Sequence, residues 1–269
     1  MQKKLSVFLL QNAAQEEKTA AAVQSHLMER NGLKNMKPTE TPAYKPATDC
    51  IQKYFQNNKQ KYGIKEDFIA NSDNPYGNSG CIIMASGQGT RFGGNKLLAD
   101  FGGKPIIQWV LDVSKVMFSK RIVVTIHKEI ENLCKNQNIP VILHSFPYRN
   151  DVVRIGIEKI GCQIDRCAFL LADQPLIKKE TLSSLVICAN NEPDFIWRAC
   201  YKETIGSPVV FPKKYFNELK NLPQGKGGNA VILKHAENVR NFPVSNQYEL
   251  EDIDAQEDLE RLLKKISQF

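Results

Sequence analysis

Arg91 and Lys96 lie in "SGQGTRFGGNK", residues 86–96, a stretch dominated by glycine and small residues. Glycine lets backbone N–H groups approach a ligand closely, and successive N–H groups form a concave site for an anion. An arginine adds a bidentate contact to phosphate and a lysine adds a compact charge. The chemistry these residues point to is phosphate binding. A flexible strand-to-helix loop with solvated cations has the same composition, so composition alone leaves both readings open. Two phosphate motifs fail by counting. GxxxxGK[ST] fails because Gly89 is followed five places on by Gly94, then by Asn95 rather than lysine, and Lys96 is followed by Leu97. GxGxxG fails because Phe92 stands where its third glycine belongs.

A bound polyphosphate calls for a divalent cation, and magnesium takes one or two carboxylates plus phosphate oxygens and water. Asp173 ends the apolar run "CAFLLA", where a carboxylate emerges at a strand end, and Pro175 closes the turn behind it. Position alone leaves it open between a turn-capping role and a metal ligand. Asp252 and Asp254, in "EDIDAQEDL", are a second acidic option; Asp254 with Glu257 also fits a capping box opening the last helix. His26, His127, His144 and His235 are isolated, with no i,i+4 pair, which argues against a histidine metal site. A second glycine-lysine stretch, "LPQGKGGNAVILKH" (222–235), leads into a helix and suits either an anion at the helix N-terminus or a plain loop.

The elements that must position these groups alternate from Cys81 onward. Strands are expected at 81–85, 121–126, 139–144, 167–171, 194–199, 207–211 and 239–243. Helices are expected at 105–118, 128–136, 151–160, 178–190, 213–220, 227–236 and 255–266. Runs such as "RIVVTI" and "CAFLLA" are apolar on both faces, as in a parallel sheet covered on both sides. The fold class is α/β: a three-layer sandwich with a doubly wound, mostly parallel sheet, whose ligands bind at strand carboxyl ends. Residues 1–80 are expected to form an N-terminal helical extension and linker, and 81–269 the α/β domain. The extension carries a short strand at 5–10, a helix over 12–31, prolines at 38, 42 and 46, and a second helix capped by Thr48 or Asp49.

Of 269 residues, 42% are hydrophobic and 24% charged, with a net charge of +7 spread along the chain. This suits anionic small molecules, and no RNA-binding motif, zinc finger or basic helix points to nucleic acid. The seven cysteines include no CxxC pair and are expected to be free thiols of a reducing, cytoplasmic environment. The apolar core of the N-terminus, Leu5–Leu10, is shorter than a secretory signal requires, and no stretch is long enough to span a membrane.

The stretch "MASGQGTRFGGNKLLADFGGKPI" resembles the signature of MobA-like NTP transferases, approximately LAxGxSxRxGxxK followed by GxPL. Within that group it is most similar to molybdenum cofactor cytidylyltransferases. "RIGIEKI" (154–160), "LLADQPLI" (170–177), "IGSPVVFP" (205–212) and "EDIDAQEDLERL" (251–262) follow in the family's order. The resemblance implies a nucleotide-diphospho-sugar-transferase-like fold and transfer of NMP from an NTP to the phosphate of molybdopterin, releasing pyrophosphate. It implies that Ala85, Ser86, Gly87, Gly89, Thr90, Arg91 and Lys96 bind the nucleotide. Arg91 is then set to neutralise pyrophosphate, Lys96 to meet the α-phosphate, and Asp173, with Asp254 as a second candidate, to hold Mg2+. Implied partners are CTP, or GTP, with molybdenum cofactor, and a molybdoenzyme or its maturation chaperone. Ser86 and the sequence Asp173-Gln174-Pro175 are closer to cytidylyl members, where guanylyl members have glycine and Asp-Met-Pro. Two departures from the family's usual residues stand out: Gly225-Lys226-Gly227-Gly228-Asn229, which bears on the acceptor, and Asn150-Asp151-Val152-Val153, in a segment that the resemblance places near the base. Two other readings stand beside this one: a transferase acting on another phosphorylated acceptor such as a sugar or alditol phosphate, which only the acceptor loops separate from the first, and a non-catalytic maturation partner, against which the intact Arg91, Lys96 and Asp173 argue.

Overall fold

The computed structural model describes residues 74–266 apart from 116 and 119; the expected elements within 1–73 lie outside the described residues. Seven strands form one sheet: β1 (Ser79–Ala85), β2 (Lys120–Thr125), β3 (Val141–Leu143), β4 (Arg166–Leu171), β5 (Ile196–Tyr201), β6 (Thr204–Pro212) and β7 (Val239–Pro243). Their spatial order is β3-β2-β1-β4-β6-β5-β7. β1 pairs in parallel with β2 and β4, β2 with β3, and β5 with β7. β6 runs antiparallel to both β4 and β5. The β5–β6 hairpin turns through Lys202, at φ 52°.

The strands bury both faces, and period-2 alternation sends successive side chains to different cores. On one face Cys81, Ile83, Val123, Ala168 and Leu170 pack with α1 (Ile106–Ser114), α2 (Lys128–Asn136), α4 (Lys179–Asn191) and α7 (Gln256–Ile266). On the other face Ile82, Ile122, Val124, Cys167 and Phe169 meet α3 (Arg149–Ile160), α5 (Phe216–Lys220) and α6 (Asn229–Lys234). The result is the helix–sheet–helix sandwich expected from the sequence. Tyr76, just ahead of β1, packs against the first core, with its hydroxyl 3.2 Å from Ser183 Oγ. Five of the six described cysteines are buried. No described helix is long and apolar enough to cross a membrane.

The switch in strand order falls at β1 and β4. β1 is followed by strands to one side of it and β4 lies on the other, so the loops leaving their carboxyl ends diverge and open a crevice between them. Residues 86–96 leave β1 and residues 172–175 leave β4 at that crevice.

Candidate active site

Lys96 begins a single 3-10 turn, Lys96–Leu98, and the next side chain, Leu97, is buried in the first core. That anchor fixes Lys96 at the sheet edge with its side chain only 7% exposed. Its Nζ lies 2.7 Å from Asp173 Oδ2 and 2.7 Å from Asp254 Oδ1. Asp254 Oδ2 accepts a hydrogen bond of 2.7 Å from Arg91 Nη2, whose side chain is otherwise exposed. Burial would lower the Lys96 pKa, but Asp173 and Asp254 outweigh it and hold Lys96 above the ordinary lysine value. The hydrogen bond from Lys96 in turn pulls Asp254 below the ordinary carboxylate value, against a smaller effect of burial and with help from Arg91.

Asp254 is held in place by its backbone neighbours. The N–H of Ile253 donates to the carbonyl of Asp173 at 2.9 Å, which ties the segment before α7 to the end of β4. The capping box expected from Asp254 and Glu257 is replaced by another arrangement. Asp258 Oδ2 accepts from the N–H groups of Asp254 (3.1 Å) and Ala255 (3.0 Å), while the Asp254 carboxylate turns to the two cations. Between the loops Asp252 is pushed up to about 6, first by burial and then by the neighbouring Asp173.

Two carboxylates converging on one cationic nitrogen match the needs of magnesium, which completes its shell with phosphate oxygens and water. Among the described residues no group of three or more His, Cys, Asp or Glu side chains forms a protein-only cage. Asp173 and Asp254 are the carboxylates that could hold a metal arriving with a phosphate ligand.

The glycine loop is bent back on itself. Gly89 has φ 62°, and the Phe92 N–H donates to its carbonyl at 2.9 Å. A Cβ at Gly89 would stand 2.4 Å from the Gly94 carbonyl oxygen, so only glycine fits. Ser86, Gly87, Gly89, Thr90 and Arg91 line a cavity of about 470 Å³ that also reaches Lys96, Asp173 and Asp254. Ala85 lies beneath that lining, buried, with its carbonyl accepting from Thr125 Oγ1 at 2.9 Å.

The model of the MobA-like NTP transferase domain matches residues 81–239, more than half of the chain. The chain belongs to the MobA-like NTP transferases. It is thus an enzyme of the nucleotidyltransferase class. Among curated proteins it is 27% identical over 186 residues to a probable molybdenum cofactor guanylyltransferase of Aquifex aeolicus, covering 68% of this chain and 89% of that protein. A 3-deoxy-manno-octulosonate cytidylyltransferase of Parabacteroides distasonis is 34% identical over 109 residues, 40% of this chain and 43% of its own length. Among solved structures, Rv0371C of Mycobacterium tuberculosis in complex with manganese superposes with a TM-score of 0.59 at 20% identity, over 70% of this chain and all of that one.

In this MobA-like transferase three residues bear on the site that sequence reasoning missed. His144, after β3, has Nδ1 accepting from the Phe146 N–H at 3.1 Å, so its proton sits on Nε2, 2.9 Å from Ser86 Oγ. The Ser86 hydroxyl itself donates to the Val124 carbonyl at 3.0 Å. Burial holds His144 below the ordinary histidine value, against a smaller opposing effect of Asp151. His127 Nε2 lies 2.7 Å from the Gly87 carbonyl, which can only accept. Both histidines brace the glycine loop from 40 or more residues away in sequence, and only the parallel pairing of β1, β2 and β3 brings them there. The third is Arg149, at the start of α3, which lines both this cavity and a neighbouring one of about 360 Å³. Gln174 faces that neighbour, with Nε2 donating to the Leu250 carbonyl at 3.0 Å.

Proposed function

We propose that this transferase moves CMP from CTP onto the terminal phosphate of molybdopterin or molybdenum cofactor, releasing pyrophosphate, with Mg2+ as its metal. The observation that carries the reading is the convergence of Arg91, Lys96, Asp173 and Asp254 beside a glycine loop whose backbone is free to meet a triphosphate. Family membership and the guanylyltransferase relative support the acceptor. In this reading Ser86, Gly87, Gly89 and Thr90 cradle the triphosphate and Arg91 stays with the leaving pyrophosphate. Lys96 meets charge developing on the α-phosphate, and Asp173 and Asp254 hold Mg2+, which supplies charge neutralisation at the phosphates. Each of these acts by position and charge, which is what nucleotidyl transfer requires.

Preference for cytosine rests on Ser86. Its hydroxyl hydrogen is engaged by Val124 and its oxygen by His144, so what it presents is chiefly fixed bulk, which disfavours the larger purine. A second reading, transfer to another phosphorylated acceptor, is favoured by the departure at 225–229, a turn held by the Gly225 N–H donating to Asn150 Oδ1 at 2.8 Å. Purified protein with Mg2+, molybdopterin and equal CTP and GTP tests both questions through pyrophosphate release and product identity. CMP incorporation is expected. GTP preference, with Ser86→Ala moving it toward CTP, contradicts the steric argument, and release only with a sugar or alditol phosphate favours the second reading.

A further inference from the structure

The two cavities meet along an edge formed by Met84, Arg149, Leu171 and Asp252. Arg149 is the cation of that edge. Arg91 and Lys96 are paired with acids, and Arg154 is paired with Asp151 and Glu158. Arg149 has no hydrogen bond or ion pair among the described residues. Its stem is nonetheless held. A Cβ at Gly227 would stand 2.8 Å from Arg149 Cδ, so the absence of a side chain there makes room for the arginine, while Asn150 binds the same turn at Gly225. The second cavity has an apolar floor of Phe169, Val209, Phe211 and Ile232.

We infer that Arg149 receives the attacking anion of the acceptor and aims it at the α-phosphate, so that the second cavity takes acceptors with an apolar body ending in a phosphomonoester. The inference rests on the nucleotidyl-transfer reading, though not on molybdopterin being the acceptor. An oxygen of the acceptor phosphate bonds to the α-phosphorus as the bond from that phosphorus to the α,β-bridging oxygen breaks. Pyrophosphate leaves with the electron pair, and no proton has to move when the acceptor arrives as a dianion. Two anions must approach closely for this, and a guanidinium at their boundary offsets the repulsion while fixing orientation through its paired N–H groups. A hydroxyl acceptor would need a base instead, and a guanidinium cannot act as one.

The full chain, with Mg2+ and a CTP analogue methylene-bridged between the α- and β-phosphorus, is titrated with phenyl phosphate and with benzyl alcohol by calorimetry. Phenyl phosphate is expected to bind and benzyl alcohol not to. Arg149→Gln should weaken phenyl phosphate by about 10- to 100-fold, the loss of a charge-assisted contact, and by more than it weakens the nucleotide analogue. Arg149→Lys should recover part of the loss, and Gly227→Ala should weaken binding without removing the charge. Unchanged phenyl phosphate affinity in Arg149→Gln, loss of nucleotide affinity in its place, or tighter binding of the alcohol would each overturn the inference. Molybdopterin turnover is measured on the same variants. If wild type fails with molybdopterin while phenyl phosphate still depends on Arg149, the acceptor reading falls and this inference stands.

Discussion

Lys96 stands between two carboxylates on a nearly buried stem, and this arrangement sets what its removal does. Lys96→Ala takes away the cation that Asp173 and Asp254 share, the group proposed to meet the α-phosphate; Asp173→Ala removes one of the two carboxylates proposed to hold the metal. Each should lower pyrophosphate release by about 10²–10³ while the protein stays folded, the usual cost of one aligned partner of a developing charge. Steady-state release together with circular dichroism checks both. His144 belongs to this scale too. Its folded pKa lies below the unfolded value of about 6.5, so the unfolded chain binds more protons and the contribution of neutral His144 is complete above that value. It is lost as pH falls through the folded pKa. Protonation places a hydrogen on Nδ1, facing the Phe146 N–H, and loosens the 146–149 segment that lines the nucleotide cavity. Asp151 opposes the shift, and Arg154 sits over the Phe146 ring. CTP affinity measured from pH 7 to 5 should therefore fall by about 3- to 10-fold more in wild type than in His144→Gln, which cannot titrate. Parallel profiles would remove His144 from the account.

At the scale of elements, the loop after β1 works through its backbone shape. Gly89→Ala forces a Cβ onto the Gly94 carbonyl at positive φ and should abolish nucleotide binding, whereas Gly94→Ala, with open space and no positive φ, should bind within a few-fold of wild type. Calorimetry with CTP separates the two. Every strand from β1 to β7 and every helix from α1 to α7 was legible, because two-sided apolar runs and 3.6-residue patterns are local properties. Their ends moved by a few residues, as at 213–220, where a 3-10 turn precedes the short α5. The cations and acids of the candidate site could be singled out because Arg91 and Lys96 lie in a glycine-rich loop, Asp173 follows a strand and Asp254 precedes a helix. Their pairing was not, since Arg91 and Asp254 are 163 residues apart and only the crevice between β1 and β4 joins them. The same distance explains why Asp254 looked like a helix cap: the local pattern is genuine, but two cations compete for its carboxylate and Asp258 takes over the backbone N–H groups. The histidine braces and Arg149 had no local signal of any kind.

The whole molecule is proposed to divide into an extension and a catalytic domain, and the turn at 74–77 bears on where to separate them. Tyr76 packs on the first core and the Asn190 side chain donates to the Pro75 carbonyl, so this turn belongs with the sheet. Deleting residues 1–73 should leave transferase activity intact. Deleting 1–78 also removes Tyr76 and should cost on the order of 2 kcal/mol, several degrees of Tm, in a thermal melt of the two truncated proteins. Equal melting temperatures would show that Tyr76 contributes nothing to the domain. The central claim concerns the path of one phosphorus atom. The full chain is incubated with Mg2+, molybdopterin and CTP labelled at the α-phosphorus in one sample and at the γ-phosphorus in another. The account predicts α-label in a molybdopterin dinucleotide and γ-label in pyrophosphate, in equal amounts. Label left in CTP, or α-label recovered as free CMP, would contradict it.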